Sequence, residues 1–171
     1  MNAAARVIAI DVETTGLLPR RDRVIEVGAC ALQGGVVVEE FHSLINAGAR
    51  ITFAAQRIHG ITIDMLAGQP APDEVFPKLH EFIGGSIIIA HNAPFDMQFL
   101  RAELSRLGRS LSRKHICTLA LSRRRFPGLP DHRLESVYRH VCGGMPEQSR
   151  RHRALDDARM AARIWMEMTR S

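Results

Sequence analysis

Asp11-Val12-Glu13-Thr14-Thr15-Gly16 sets two carboxylates two residues apart. On a strand, both side chains project to one face. Carboxylates that close repel each other and lose hydration when partly buried, so they persist most readily where a cation or a proton offsets them. Oxygen-only donors favour Mg²⁺ or Mn²⁺ over zinc. A solvated strand end would carry the same triplet without any chemistry. Another carboxylate stands in His91-Asn92-Ala93-Pro94-Phe95-Asp96. A helix opening there would hold Asp96 in its first turn, where the dipole favours negative charge. Plain helix capping is the alternative. The third segment is Arg151-His152-Arg153-Ala154-Leu155-Asp156-Asp157-Ala158. At about 100° per residue, Ala154, Ala158, Ala161, Ala162 and Trp165 form one apolar stripe, with Arg159, Arg163 and Glu167 opposite. Asp156 falls within the charged face, in i+3 reach of Arg159. Asp157 falls at the margin of the stripe and is the one expected to reach an interior site. His152 lies at or before the helix start. A neutral imidazole there could accept a proton near pH 7, although an ordinary surface histidine fits the position too.

These residues need elements to hold them. The run Val7-Ile8-Ala9-Ile10 predicts a strand over 6–13, buried on both faces. Strands over 24–32 and 36–45 flank the turn Gln33-Gly34-Gly35, which reads as a hairpin. Short helices broken at Gly60 are expected over 52–66. A helix capped by Asp73 should run to Ile83, with Pro77 near its first turn. A buried strand over 86–90 leads into a helix that ends at Leu107, before Gly108. A short strand over 114–117, a helix to about Phe126, a Pro-Gly loop and helices over 134–141 and 153–169 complete the chain. Strands first, then helices alternating with strands, indicate a layered α/β domain with a mixed sheet.

The composition bounds the reading. The chain has 171 residues, 46% of them hydrophobic and 24% charged. One soluble domain is expected, not a disordered, fibrous or multi-span protein. Residues 1–100 carry 7 Lys+Arg against 11 Asp+Glu, a balance of −4, and residues 101–171 carry 16 against 7, a balance of +9. An acidic half joined to a basic half suits a polyanion partner and a carboxylate-rich site, or a solvated arginine-rich surface. Cys30, Cys117 and Cys142 have no metal or disulfide spacing and read as buried or incidental thiols. No signal peptide or transmembrane run is expected, so a cytoplasmic location and no membrane partner are anticipated. Aromatic residues make up only 5%, which argues against extended base-stacking platforms. Trp165 reads as core. Arg123-Arg124-Arg125 suits either phosphate contacts or a solvated helix end.

Taken in order, Asp11-Val12-Glu13, His91-Asn92-Ala93-Pro94-Phe95-Asp96 and His152-Arg153-Ala154-Leu155-Asp156-Asp157-Ala158 resemble the DEDDh 3′–5′ exonucleases, the family of the bacterial DNA polymerase III epsilon subunits and their stand-alone homologues. Ile58-His59-Gly60-Ile61-Thr62 is similar to the family's linking motif. The resemblance implies a single exonuclease domain over 1–171. Its fold would be ribonuclease H-like, a five-stranded mixed sheet of order 3-2-1-4-5, strand 2 antiparallel, flanked by helices. It implies Asp11, Glu13, Asp96 and Asp157 as ligands of two divalent ions, Mg²⁺ or Mn²⁺, and His152 as general base. Thr14, Thr15, Gly16 and Leu17 would hold the terminal nucleotide, with Leu17 against the last base. His59, Asn92 and Phe95 would stand near the substrate. The implied activity is hydrolysis at the 3′ end of nucleic acid, releasing nucleoside 5′-monophosphates in proofreading, repair or end trimming. DNA is the favoured substrate, in single-stranded or frayed form. An RNA exonuclease and a non-catalytic nucleic-acid-binding or polymerase-accessory module are the alternatives. Two departures stand out: Cys117-Thr118 replaces the family's frequent Asp-Thr or Asp-Ser, and Ala54 takes the place of a glutamate that contacts substrate. Polymerase association is compatible with the resemblance. The sequence stops at Ser171, so attachment through a long epsilon-type tail is not expected.

Overall fold

The apolar run at Val7 becomes the central strand β1 (Val7–Thr14) of a five-stranded sheet in the computed structural model, which describes residues 5–145 and 152–170. Arg151 of the third motif lies outside the described residues. β2 (Val24–Gln33) and β3 (Val36–Leu44) form the expected hairpin, with positive φ at both Gly34 and Gly35 in its turn. β4 (Ile87–Ala90) and β5 (His115–Cys117) lie beyond β1. The order is β3-β2-β1-β4-β5, with β2 antiparallel to β1 and β4 parallel to it. This is the order, with strand 2 antiparallel, that the sequence resemblance implies.

Alternation along β1 decides where the chemistry can sit. Ile8, Ile10 and Val12 join the core formed with α3 (Pro72–Ile83) and α4 (Ala93–Arg106). Val7 and Ala9 pack on the opposite face against Ala158 and Ala162 of α7 (Ala154–Thr169). Asp11 and Glu13 continue that second parity, so they emerge on the α7 side just where the strand ends. Burial along α7 follows the predicted stripe: Ala154, Ala158, Ala161 and Ala162 are buried, and Trp165 is half-buried against the same cluster. Asp156 pairs with Arg159 at 2.9 Å.

α7 also packs on α6 (Leu134–Cys142), with Ile164 and Met168 meeting Val137. α1 (Phe53–His59) and α2 (Ile63–Leu66) are divided at Gly60, which has φ 70°. α5 (Thr118–Arg125) ends in the arginine run, where Arg125 donates to the Met168 carbonyl at 2.9 Å and so has a structural task. Most element ends fall within a residue of the sequence reading, but the start of α3 differs from it. The N-cap of α3 is Ala71, not Asp73, and Pro72 opens the helix. Glu74 Oε1 accepts the Ala71 N–H at 2.9 Å, the half of a capping box that needs no side chain at the N-cap, and the Glu74 N–H donates to the Ala71 carbonyl at 3.0 Å. Pro77 consequently falls in the second turn. Among the described residues, no helix is long and apolar enough to cross a membrane.

Candidate active site

Three elements bring the acidic residues within electrostatic reach of one another, and of the four Asp11 and Asp157 line the cleft itself. β1 supplies Asp11 and Glu13, α4 supplies Asp96 from its first turn, and α7 supplies Asp157. Asp96 is 2% exposed, and its Oδ1 accepts the Val12 N–H at 3.2 Å, which ties α4 to the strand between the two β1 carboxylates. Ligand atoms of Glu13, His152 and Asp157 lie within 4.8 Å of one another. Asp11, His152 and Asp157 line an open cleft of about 510 Å³ whose other wall includes Arg133, Glu135 and Arg139 of the α6 region.

The electrostatics follow from crowding. Burial, then the charges of Asp96, Asp157 and Glu13, hold Asp11 well above the ordinary carboxylate range. Burial, then Asp157 and Glu26, push Glu13 up to about 8. Burial also raises Asp96 to about 8, against the lowering effect of its backbone hydrogen bonds. Asp157 rises to about 7 through burial and the charge of Glu135. Among the described residues, none of the four pairs with a lysine or arginine within 4.0 Å. Only the more distant charge of Arg153 lowers Glu13, and it does not outweigh the crowding. Four crowded oxygen donors with no close ion pair among the described residues fit hard divalent cations, whose binding would offset the repulsion.

Both helices that carry an interior aspartate begin next to a non-glycine residue in the left-handed region. Asn92, the N-cap of α4, has φ 73°, and His152, two residues before α7, has φ 56°. These are the only such residues described. Backbone of this kind clusters at functional sites, where surrounding contacts over-determine it.

The turn after β1 is tightly built. Thr14 Oγ1 donates to the Gly16 carbonyl at 2.7 Å, and Thr15 Oγ1 accepts the Arg23 N–H at 2.9 Å. A Cβ on Gly16 would lie 2.4 Å from Asp22 Oδ2, and Asp22 in turn accepts the Leu18 N–H. These bonds leave Leu17 76% exposed at the tip. His59 braces the turn from α1. Its Nδ1 accepts the Ile61 N–H at 3.0 Å, so its Nε2–H donates to the Thr14 carbonyl at 3.2 Å. Phe95 stacks obliquely on Phe99, with centroids 4.9 Å apart, and the Asn92 side chain is exposed. Thr118, which stands next to Cys117 at the departure from the family pattern, is fully buried and hydrogen-bonded to His91 Nδ1 at 2.9 Å.

Two residues at this site escaped sequence reasoning. Glu26 on β2 is fully buried directly opposite Glu13 in the ladder. Glu135 is the largest charge effect on Asp157. A lone glutamate inside the apolar strand Val24-Ile25-Glu26-Val27 was the available signal, because a buried carboxylate demands a partner.

A central strand ending in paired carboxylates, joined at its tip by two helix starts and a histidine, defines the metal-using 3′–5′ exonucleases of ribonuclease H-like fold. The exonuclease family of the RNase T type matches residues 8–165, and the chain belongs to that family, with the DEDD exonucleases of the DNA polymerase III epsilon kind. It is 33% identical to the DNA polymerase III subunit epsilon of Aquifex aeolicus over 162 residues, covering 94% of this chain and 79% of that one. It is 36% identical to a PolC-type DNA polymerase III of Clostridium perfringens, where the match covers 92% of this chain but only 11% of the polymerase. Exonuclease X, solved with 5′-overhanging duplex DNA, superposes with a TM-score of 0.75 at 28% identity, over 96% of this chain and 90% of the other.

Proposed function

We propose that residues 1–171 act as one exonuclease domain that removes nucleotides from the 3′ end of DNA in the cytoplasm and releases nucleoside 5′-monophosphates. Asp11, Glu13, Asp96 and Asp157 would hold two divalent cations, Mg²⁺ or Mn²⁺. Bound there, the cations supply Lewis acidity toward the phosphodiester and the attacking water. His152 takes the proton of that water as general base. The rigid Thr14–Gly16 turn seats the terminal nucleotide, and Leu17 packs against its base. His59 acts by bracing the Thr14 carbonyl, and Asn92 and Phe95 border the nucleotide from the start of α4.

One observation carries the reading: two of the four crowded carboxylates, Glu13 and Asp157, place ligand atoms within 4.8 Å of His152. DNA as substrate draws on the relatives. Exonuclease X was solved with DNA, and the epsilon subunit belongs to a DNA polymerase. Polymerase association is an extension of that likeness. The test is a ladder assay on 5′-labelled single-stranded DNA, mismatched duplex and RNA with Mg²⁺ or Mn²⁺. Stepwise shortening of DNA is expected. Internal cuts without a ladder would defeat the exonuclease reading, and shortening of RNA alone would defeat the DNA preference.

A further inference from the structure

Glu26 is fully buried, yet nothing in the proposed chemistry uses it. Its Oε1 receives Arg153 Nη2 at 2.8 Å and Nε at 3.0 Å, and His42 Nε2 lies 2.8 Å away. Its Oε2 accepts the Ala154 N–H at 3.3 Å. The two residues it grips on the last segment are therefore the two that follow His152. Arg153 Nε also reaches Oε2 at 3.3 Å, so the pair spans both carboxylate oxygens and fixes direction as well as distance.

His152 needs such a restraint. Its φ of 56° is disfavoured for a side chain with a Cβ and persists only where neighbours over-determine it. The body of α7 is held by other means. Ala158 and Ala162 pack on β1, and a Cβ on Gly28 would lie 2.1 Å from the Leu155 nitrogen, so the helix already rests on the β2 backbone. The Glu26 grip thus adds little to the seating of Asp157 and bears on the residues ahead of the helix.

We propose that Glu26 is a positioning residue for His152: through Arg153 and the Ala154 amide it fixes the left-handed backbone that turns the imidazole toward Glu13 and Asp157. This rests on the exonuclease reading for its kinetic consequence but not for its structural one.

The test uses the whole chain with Arg153→Met, Arg153→Lys, and the double variant Glu26→Gln/Arg153→Met, which leaves no unpaired charge buried should the single variant fail to fold. Arg153→Met is expected to lower kcat by about 10–100-fold. KM for labelled DNA should stay within about twofold, as should Mn²⁺ affinity in Arg153→Lys, which keeps the positive charge that acts on Glu13. Arg153→Lys should recover part of the loss. In a His152→Ala background the same changes should cost nothing more. The imidazole NMR signals of His152 should move in Arg153→Met and in the double variant. An unchanged kcat, an equal loss without His152, or unmoved His152 signals would overturn the assignment. A wild-type chain that cuts nothing would instead defeat the exonuclease reading, and the imidazole signals would still decide this one.

Discussion

Glu13 and Glu26 stand opposite each other in the β1–β2 ladder, and the protein treats them in opposite ways. Burial pushes both upward. For Glu26, hydrogen bonds from His42, Arg153 and the Ala154 amide outweigh it and leave the carboxyl below its ordinary value. For Glu13 no such donors stand among the described residues, and it rises to about 8. One carboxylate is thus satisfied by the fold, and its neighbour is left to the proposed cations.

This imbalance sets a pH signature. Glu13, Asp96 and Asp157, at about 8, 8 and 7, hold protons in the folded chain that the unfolded chain has already lost. Stability must fall as pH rises through that window, because the native state binds more protons. The buried Cys30 thiol, pushed up to about 12, adds the same sign above its unfolded value. His59 and His91, lowered by burial, act in the other direction but below their ordinary value of 6.5. Metal-free protein should therefore melt at progressively lower temperature from pH 6.5 to about 8, above which these groups have lost their protons in both states, and saturating Mg²⁺ or Mn²⁺ should flatten the slope. Thermal scans in chelator across that range check this, and a rise or a plateau without metal would contradict it.

Asp11→Asn follows from the same crowding. It removes the carboxylate that Asp96, Asp157 and Glu13 all oppose. Cleavage should be abolished, while the chelated protein gains about 0.5–2 kcal/mol. Denaturant melts with and without EDTA measure the gain. A destabilised chelated variant would mean that Asp11 supports the fold.

His152→Ala should lower turnover by about 10²–10⁴-fold. DNA and Mn²⁺ binding should persist, since four carboxylates and the Thr14–Gly16 turn remain. Single-turnover rates beside anisotropy titrations separate the two effects. Unchanged turnover would remove His152 from the base role.

Much of this was legible beforehand because it is local. The parity of Asp11 and Glu13 follows from strand alternation, and helical angles separated buried Asp157 from Asp156, which pairs with Arg159. The strand order came with the family resemblance. The Glu26–Arg153 pair joins residues 127 positions apart, and no window of sequence could match them. The shift of the α3 start from Asp73 to Ala71 has a smaller cause: Pro72 fits the first helical position and Glu74 accepts the Ala71 N–H, so no capping side chain is needed.

Gly28→Ala probes the long-range seating of α7. The new methyl would meet the Leu155 nitrogen at 2.1 Å and the Ala154 carbonyl carbon at 2.3 Å, both backbone atoms that cannot swing aside. Destabilisation of at least about 2–3 kcal/mol is expected. Whatever folded protein remains should bind Mn²⁺ weakly, because Asp157 moves with the helix. Chemical denaturation and metal titration test both parts, and wild-type values would show that α7 tolerates lifting from β2.

The uneven charge distribution yields the last prediction. Asp11, Glu13 and Asp96 lie in the half with a balance of −4, so attraction of a phosphate chain must come from cations bound there and from arginines of the other half. Arg133 and Arg139 line the cleft beside Asp157, and neither forms an ion pair among the described residues. Each phosphate neutralised on a single strand should contribute about −0.7 to the slope of log affinity against log salt. Binding of labelled single-stranded DNA, measured by anisotropy with Ca²⁺ and the His152→Ala variant to suppress cleavage, should weaken linearly on that scale. Arg139→Ala should make the slope shallower by about one such increment. A slope unaltered by Arg139→Ala would place the phosphates away from the α6 wall and return the search to Arg21 and Arg50, which line the separate cleft beside Thr15.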